Sequence, residues 1–189
     1  MVGERYPILP LPHIPEHTEL IEIGPITIGV GCRVLNDETA ADYLRSVGYN
    51  PRPEEGDAGF GNMGAEDGGI SIHVFGNESG ELLEHFRFDC FEDEPHYHYV
   101  YQREKAQRRV FLDPVLEGDA QRWALDRLRT HLPQILESVG QTELARRVDL
   151  AAISAALPQV EAAIERAQHA AEDTPPRRDA ESASQQPTR

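Results

Sequence analysis

Cysteine is scarce in this chain. Cys32 and Cys90 are the only two in 189 residues, too few for a disulfide framework and without the CxxC spacing of a metal knuckle. Each reads as a small apolar core residue rather than a nucleophile or ligand. Long apolar runs are missing too. Stretches such as Ala151–Leu157 are short and broken by polar residues, far from the roughly 18 apolar residues of a membrane helix. The first residues, MVGERYPILPLPHIPEH, lack the basic start and unbroken apolar stretch of a signal peptide. A soluble, cytoplasmic protein without membrane contact is therefore expected. Positive charge is also in deficit: the formal net charge is −15. Nearly all of it precedes the polar tail, and a surface of that sign repels phosphate backbones, so no nucleic acid is expected as a partner.

Two further chemistries lack their context. GFGNMG at residues 59–64 matches G-x-G-x-x-G in form. A dinucleotide fingerprint needs a strand before it and a helix after it, whereas here an acidic loop precedes and a strand follows. Residues 50–69 are expected to be a surface loop, with a lid as its functional option. The acidic turn Glu92-Asp93-Glu94 lacks the alternating ligands and glycine of an EF-hand, and reads as a solvated turn or a contact for a basic partner.

What is present predicts one α+β domain: a small antiparallel β-meander of three to five strands packed against C-terminal helices. Pro7, Pro10, Pro12 and Pro15 make residues 1–18 an extended arm, because each fixes φ and removes a donor. The arm should pack along its own domain or reach a neighbouring subunit. The domain spans 19–171, and 172–189 is too polar to bury a core and should be disordered. Leu20–Val34 reads as two short strands around Gly24-Pro25, followed by a short helix over Glu38–Val47 capped by Asp37. Gly69–Phe75 and Leu82–Cys90 alternate as a hairpin, and His96–Gln102 and Arg108–Leu112 continue it. Helices are expected over Ala120–Val139, with a kink or restart at Pro133, and over about Thr142–Ala171, interrupted at Pro158.

The chemistry concentrates in Phe86–Tyr101, FRFDCFEDEPHYHYVY. Successive strand residues point to opposite faces, so the meander can be sorted. Ile70, Ile72, Val74, Phe86, Phe88, Cys90 and the tyrosines 97, 99 and 101 form one side, which should cover the helices. The other side gathers His73, His85, Arg87, Asp89, His96 and His98. His-x-His on a strand sets two imidazoles roughly 7 Å apart at Cα, close enough to share a divalent transition metal such as zinc or iron. The candidate ligands are therefore His96, His98, His73 and Asp89. Acid–base catalysis by a histidine paired with Asp89 is a further option, but no nucleophile motif accompanies it, and no catalytic residue is assigned.

The competing expectation is a binding surface. His85, Arg87, Tyr97 and Tyr99 suit an interface, and a protein partner or homo-oligomer is expected. On that basis the leading expectation is a non-catalytic accessory, protein-binding domain. The alternatives are a small metal-binding protein or metal-dependent enzyme using the His-x-His strand, and an acidic inhibitor of a basic enzyme.

Overall fold

The computed structural model describes residues 2–49, 67–78 and 80–172. The glycine-rich segment, apart from its last residues, and the polar tail lie outside the described residues. A single antiparallel sheet dominates: β1 (Glu4–Tyr6), β2 (Thr18–Ile23), β3 (Ile26–Leu35), β4 (Asp67–Glu78), β5 (Glu81–Phe91), β6 (His96–Tyr101) and β7 (Ala106–Phe111). Their spatial order is β1-β7-β6-β5-β4-β3-β2. The α+β class holds, but the sheet has seven strands rather than three to five. The excess has two sources. Residues around Gly24-Pro25 form a complete hairpin that joins the meander through β3, and the arm contributes Glu4–Tyr6 as a strand on β7.

Five helices are described: α1 (Asp37–Ser46), α2 (Pro114–Glu117), α3 (Ala120–Ser138), α4 (Thr142–Arg147) and α5 (Leu150–Glu172). The cap of α1 is Asn36, whose side chain accepts from Thr39 N. Neither internal proline ends a helix. Pro133 lies within α3 and Pro158 within α5. The break falls at Val148-Asp149 instead, where Asp149 Oδ1 accepts from Ala151 N at 2.8 Å and opens α5. Burial explains why Pro133 is tolerated. Leu128, Leu132 and Leu136 around it are fully buried, so packing offsets the lost backbone hydrogen bond. None of the described helices is long and apolar enough to cross a membrane.

The apolar face of the sheet packs on α3 and α5, with Ile28, Ile72, Val74, Phe86 and Phe88 against Leu128, Leu132, Ile153 and Val160. Burying such side chains supplies about 1.5–3 kcal/mol each. The opposite face is the unusual one. It is polar and it is also buried: Arg33, Ser71, His73, Glu84, Arg87, Asp89, His96, His98 and Gln107 are all less than a tenth exposed.

Candidate metal centre

The proline arm explains that burial. It crosses the polar face of its own sheet and meets α1, with Tyr6, Ile8 and Leu44 forming a small apolar cluster. Prolines remove N–H donors but leave every carbonyl, so the arm offers acceptors to a face rich in donors. The Leu11 carbonyl accepts from Arg87 Nη2 at 2.6 Å, and the Leu9 carbonyl accepts from Tyr43 OH at 2.8 Å. His13 packs edge-on to His73 and Phe75.

Strand register then builds two adjoining clusters. One row across the sheet carries Ser71, Asp89 and His96, and the next carries His73, Arg87, His98 and Arg109. Asp89, His96 and His98 converge: one ligand atom from each lies within 4.8 Å of the others, and all three residues are buried. His98 Nε2 is 3.0 Å from Asp89 Oδ2, and Ser71 Oγ donates to Asp89 Oδ1 at 2.5 Å. Burial pushes the Asp89 carboxyl up, but Arg87 and the His98 hydrogen bond outweigh it and hold it well below the usual carboxylate range.

His96 decides what this cluster can do. Its Nδ1 lies 2.6 Å from the Glu94 carbonyl, which can only accept, so Nδ1 carries the hydrogen. Burial, helped by His98, lowers its pKa to about 3, so the ring is neutral. Its Nε2 therefore presents a lone pair toward Asp89 Oδ2, 3.5 Å away. Two lone-pair donors face each other with no proton between them, an arrangement that could hold a cation. The turn that supplies the Glu94 carbonyl is fixed in turn by Asp67, whose carboxylate accepts from the backbone N–H groups of Gly68, Asp93 and Glu94. That outer support is the usual arrangement around a metal-ligating histidine.

His73 is not part of this group. It stands on β4, across β5 from His98, with Arg87 opposite it. Its Nδ1 pairs with Glu84 Oε1 at 2.6 Å. Arg87 clasps the same carboxylate through Nε at 2.8 Å and Nη2 at 2.7 Å. Burial pushes Glu84 up, yet Arg87 and His73 hold it far below its ordinary value. Burial lowers His73 despite Glu84. This second cluster is an ion-pair network closed around the Glu84 carboxylate, both of whose oxygens are engaged.

The register shifts at Val74/Phe75, where Phe75 pairs with Glu84 and Val74 with Phe86. His85 is the extra residue of a β-bulge. It is carried away from the histidine face toward the helices: a Cβ added at Gly76 would meet Leu144 Cδ2 and His85 Nε2. Simple alternation assigns His85 to the polar face, and the bulge puts Glu84 there instead. Tyr97 and Tyr99 lie half-buried on the helix side, where Tyr97 packs against Phe86 and Trp123. Arg87 is enclosed beneath the arm. Four polar residues emerge here that alternation alone does not mark as functional: Glu84, Asp67, Gln107 and Arg109. The sequence mark beside the bulge is Gly76 on β4, whose missing side chain leaves room for His85 on β5.

Beneath the arm a cavity of about 40 Å³ opens beside the three converging side chains. Leu11, Phe91, Gln107 and Arg109 also line it.

Residues 20–164 match the model of a family described as a domain of unknown function (DUF7700). The chain belongs to that family. The matched span includes Asp89, His96, His98 and Gln107 and leaves out the proline arm. Neither a curated protein nor a solved structure matches the chain.

Proposed function

We propose that this DUF7700 protein binds a divalent transition metal through Asp89, His96 and His98. The observation that carries the reading is the neutral His96 Nε2 facing the ionised Asp89 Oδ2 at 3.5 Å, with its ring oriented by the Glu94 carbonyl. Two imidazoles and one carboxylate with open positions suit iron(II), and the same donors suit zinc. Ligands from one side leave the cavity side of the metal for water or a small ligand. The cavity is too small for a bulky substrate, since each water-sized group needs about 10–15 Å³. A metal-binding protein that activates or holds something small fits this volume better than an enzyme acting on a large substrate.

Elemental analysis of protein purified without an affinity tag should find close to one zinc or iron per chain. Adding the metal at a hundred times its dissociation constant should stabilise the fold by about 2.7 kcal/mol. For a chain of this size that raises the melting temperature by about 5–10 °C. Absence of bound metal together with no thermal response to zinc, iron(II), cobalt, manganese or nickel would sink the reading.

A second reading, contact with a protein partner, draws on Val115 and Leu116, both more than four-fifths exposed on α2 and close in sequence to the half-exposed Phe111. It is tested by size-exclusion and pull-down with wild type and Val115→Ser/Leu116→Ser. Identical behaviour of the two proteins counts against it. The acidic-inhibitor idea rests on net charge alone and predicts salt-sensitive binding to a basic enzyme.

A further inference from the structure

The cavity beside Asp89, His96 and His98 is lined by a side-chain amide with no hydrogen-bond partner at either end. Gln107 is fully buried, and neither its amide oxygen nor its amide nitrogen has a hydrogen-bond partner. A buried amide left wholly unpaired is destabilising at both ends, and native structures rarely leave such a group without a partner. Gln107 lines the same cavity as the three converging side chains. It sits two residues before Arg109 on β7, on the same face as the histidines of β6. An occupant of the cavity can pair this amide with an acceptor for its N–H and, where it carries a hydroxyl, with a donor for its carbonyl.

The charges specify the occupant further. Asp89 offsets only part of a divalent cation. Arg87 is matched by Glu84 through two hydrogen bonds. Arg109 also lines the cavity; its Nη2 donates to Tyr6 OH at 3.1 Å, and its guanidinium lies over the Tyr6 and Phe111 rings. Two carboxylates also border the space. Asp67 is engaged by three backbone N–H groups, and Glu94 is exposed at the rim. A divalent metal held by Asp89 would keep positive charge on its open side, and the Arg109 guanidinium lines the same space, so a small anion is the ligand these groups favour. A cavity of about 40 Å³ has room for about three water-sized groups, which limits that anion to a few non-hydrogen atoms.

We infer that the site takes a small planar oxyanion of the formate–hydrogencarbonate class as a second ligand beside the metal, read by Gln107 and Arg109. The inference rests on the metal reading above. One oxygen faces the metal, another accepts from the Gln107 amide N–H and the Arg109 guanidinium, and a hydroxyl such as that of hydrogencarbonate satisfies the Gln107 carbonyl. Formate makes all but the last of these contacts.

The test uses full-length protein loaded with cobalt(II), whose visible absorption reports its ligand field. Cobalt uptake is measured first for each protein. Sodium formate and sodium hydrogencarbonate are then titrated at constant pH and ionic strength, with benzoate as an oversized control. The expected result is a saturable spectral change with formate and with hydrogencarbonate and none with benzoate. Relative to each protein's own cobalt complex, Gln107→Leu should weaken the formate response at least tenfold, and Gln107→Glu should remove it by placing a negative charge beside the anion. If wild type takes up no cobalt, the metal reading falls and this inference with it. If cobalt binds but formate and hydrogencarbonate leave the wild-type spectrum unchanged, only water fills the cavity and this inference alone is overturned. An equal formate affinity in wild type and Gln107→Leu overturns it as well.

Discussion

His96 donates from Nδ1 to the carbonyl oxygen of Glu94, two residues before it, across 2.6 Å. A short acidic turn thereby sets the tautomer of a buried imidazole and aims its other nitrogen at Asp89. The acidic run that reads as a solvated turn has a specific internal use, because the Asp67 carboxylate gathers its backbone N–H groups. The direction of dependence runs from Asp67 to the turn, from the turn to His96, and from His96 to the proposed metal site.

The two clusters make opposite predictions for histidine variants. His96→Ala and His98→Ala each remove a proposed ligand and should abolish stoichiometric zinc or cobalt binding. His73→Ala removes a partner of Glu84, not a ligand, and should leave metal stoichiometry intact while lowering stability. Titration calorimetry with cobalt on all three, beside urea unfolding of the metal-free forms, checks this. Loss of binding in His73→Ala alone would contradict the assignment.

Much of this site was readable from strand alternation. Ser71, Arg87, Asp89, His96 and His98 share a face because side chains alternate with period two, and no irregularity interrupts β5 after Phe86 or β6. His85 was not readable, since one inserted residue reverses the parity of everything before it and alternation carries no mark of where the insertion falls. Which histidines converge depends on register between strands, not on spacing within one. His73 and His98 lie on the same face but are divided by Arg87 on β5, and His73 Nδ1 is engaged by Glu84, so His73 stands outside the group that converges on Asp89. The seven-stranded sheet was missed at its edges. Glu4–Tyr6 is too short to show alternation, and it becomes a strand only because β7 lies alongside it. The burial of the polar face was likewise invisible, because it depends on where a proline arm with no pattern of its own is laid.

Arg87 holds two buried carboxylates in their charged form. It clasps Glu84, approaches Asp89 at 3.9 Å and is almost wholly buried. Arg87→Met should destabilise the fold by about 3–5 kcal/mol, because it leaves Glu84 and Asp89 buried without their countercharge. Adding Glu84→Gln to that variant should recover part of the loss, since one stranded charge is then removed. Urea denaturation of wild type, single and double variants measures both steps. A double variant less stable than Arg87→Met would refute the account.

Acid should weaken the metal-free protein earlier than carboxylate titration alone would. Burial lowers the pKa values of His73 and His85 below the ordinary 6.5. The unfolded chain therefore binds more protons than the native state once pH falls below about 6.5, and stability declines from there downward. Each such histidine contributes up to about 1.4 kcal/mol per pH unit in that window. Glu84 is held low by Arg87 and His73 against its own burial, so it adds a further loss below about 4.5. Urea midpoints should fall between pH 7 and pH 5, and His85→Leu should flatten that slope. A constant midpoint across this range would show that the buried histidines titrate in the native state as they do in the unfolded chain.

The arm should control how fast the metal leaves. Tyr43 on α1 donates to the Leu9 carbonyl, and Leu11 receives Arg87, so the strap across the cavity is fastened from above and below. Tyr43→Phe removes only the upper hydrogen bond, worth about 1 kcal/mol. It should accelerate removal of cobalt by excess EDTA several-fold while leaving the ligands in place. Arg45, exposed on the same helix and paired with Asp42, supplies the control: Arg45→Ala should change neither stability nor release, because an exposed pair contributes little. If Tyr43→Phe releases cobalt at the wild-type rate, the metal escapes by a path that does not require the arm to lift.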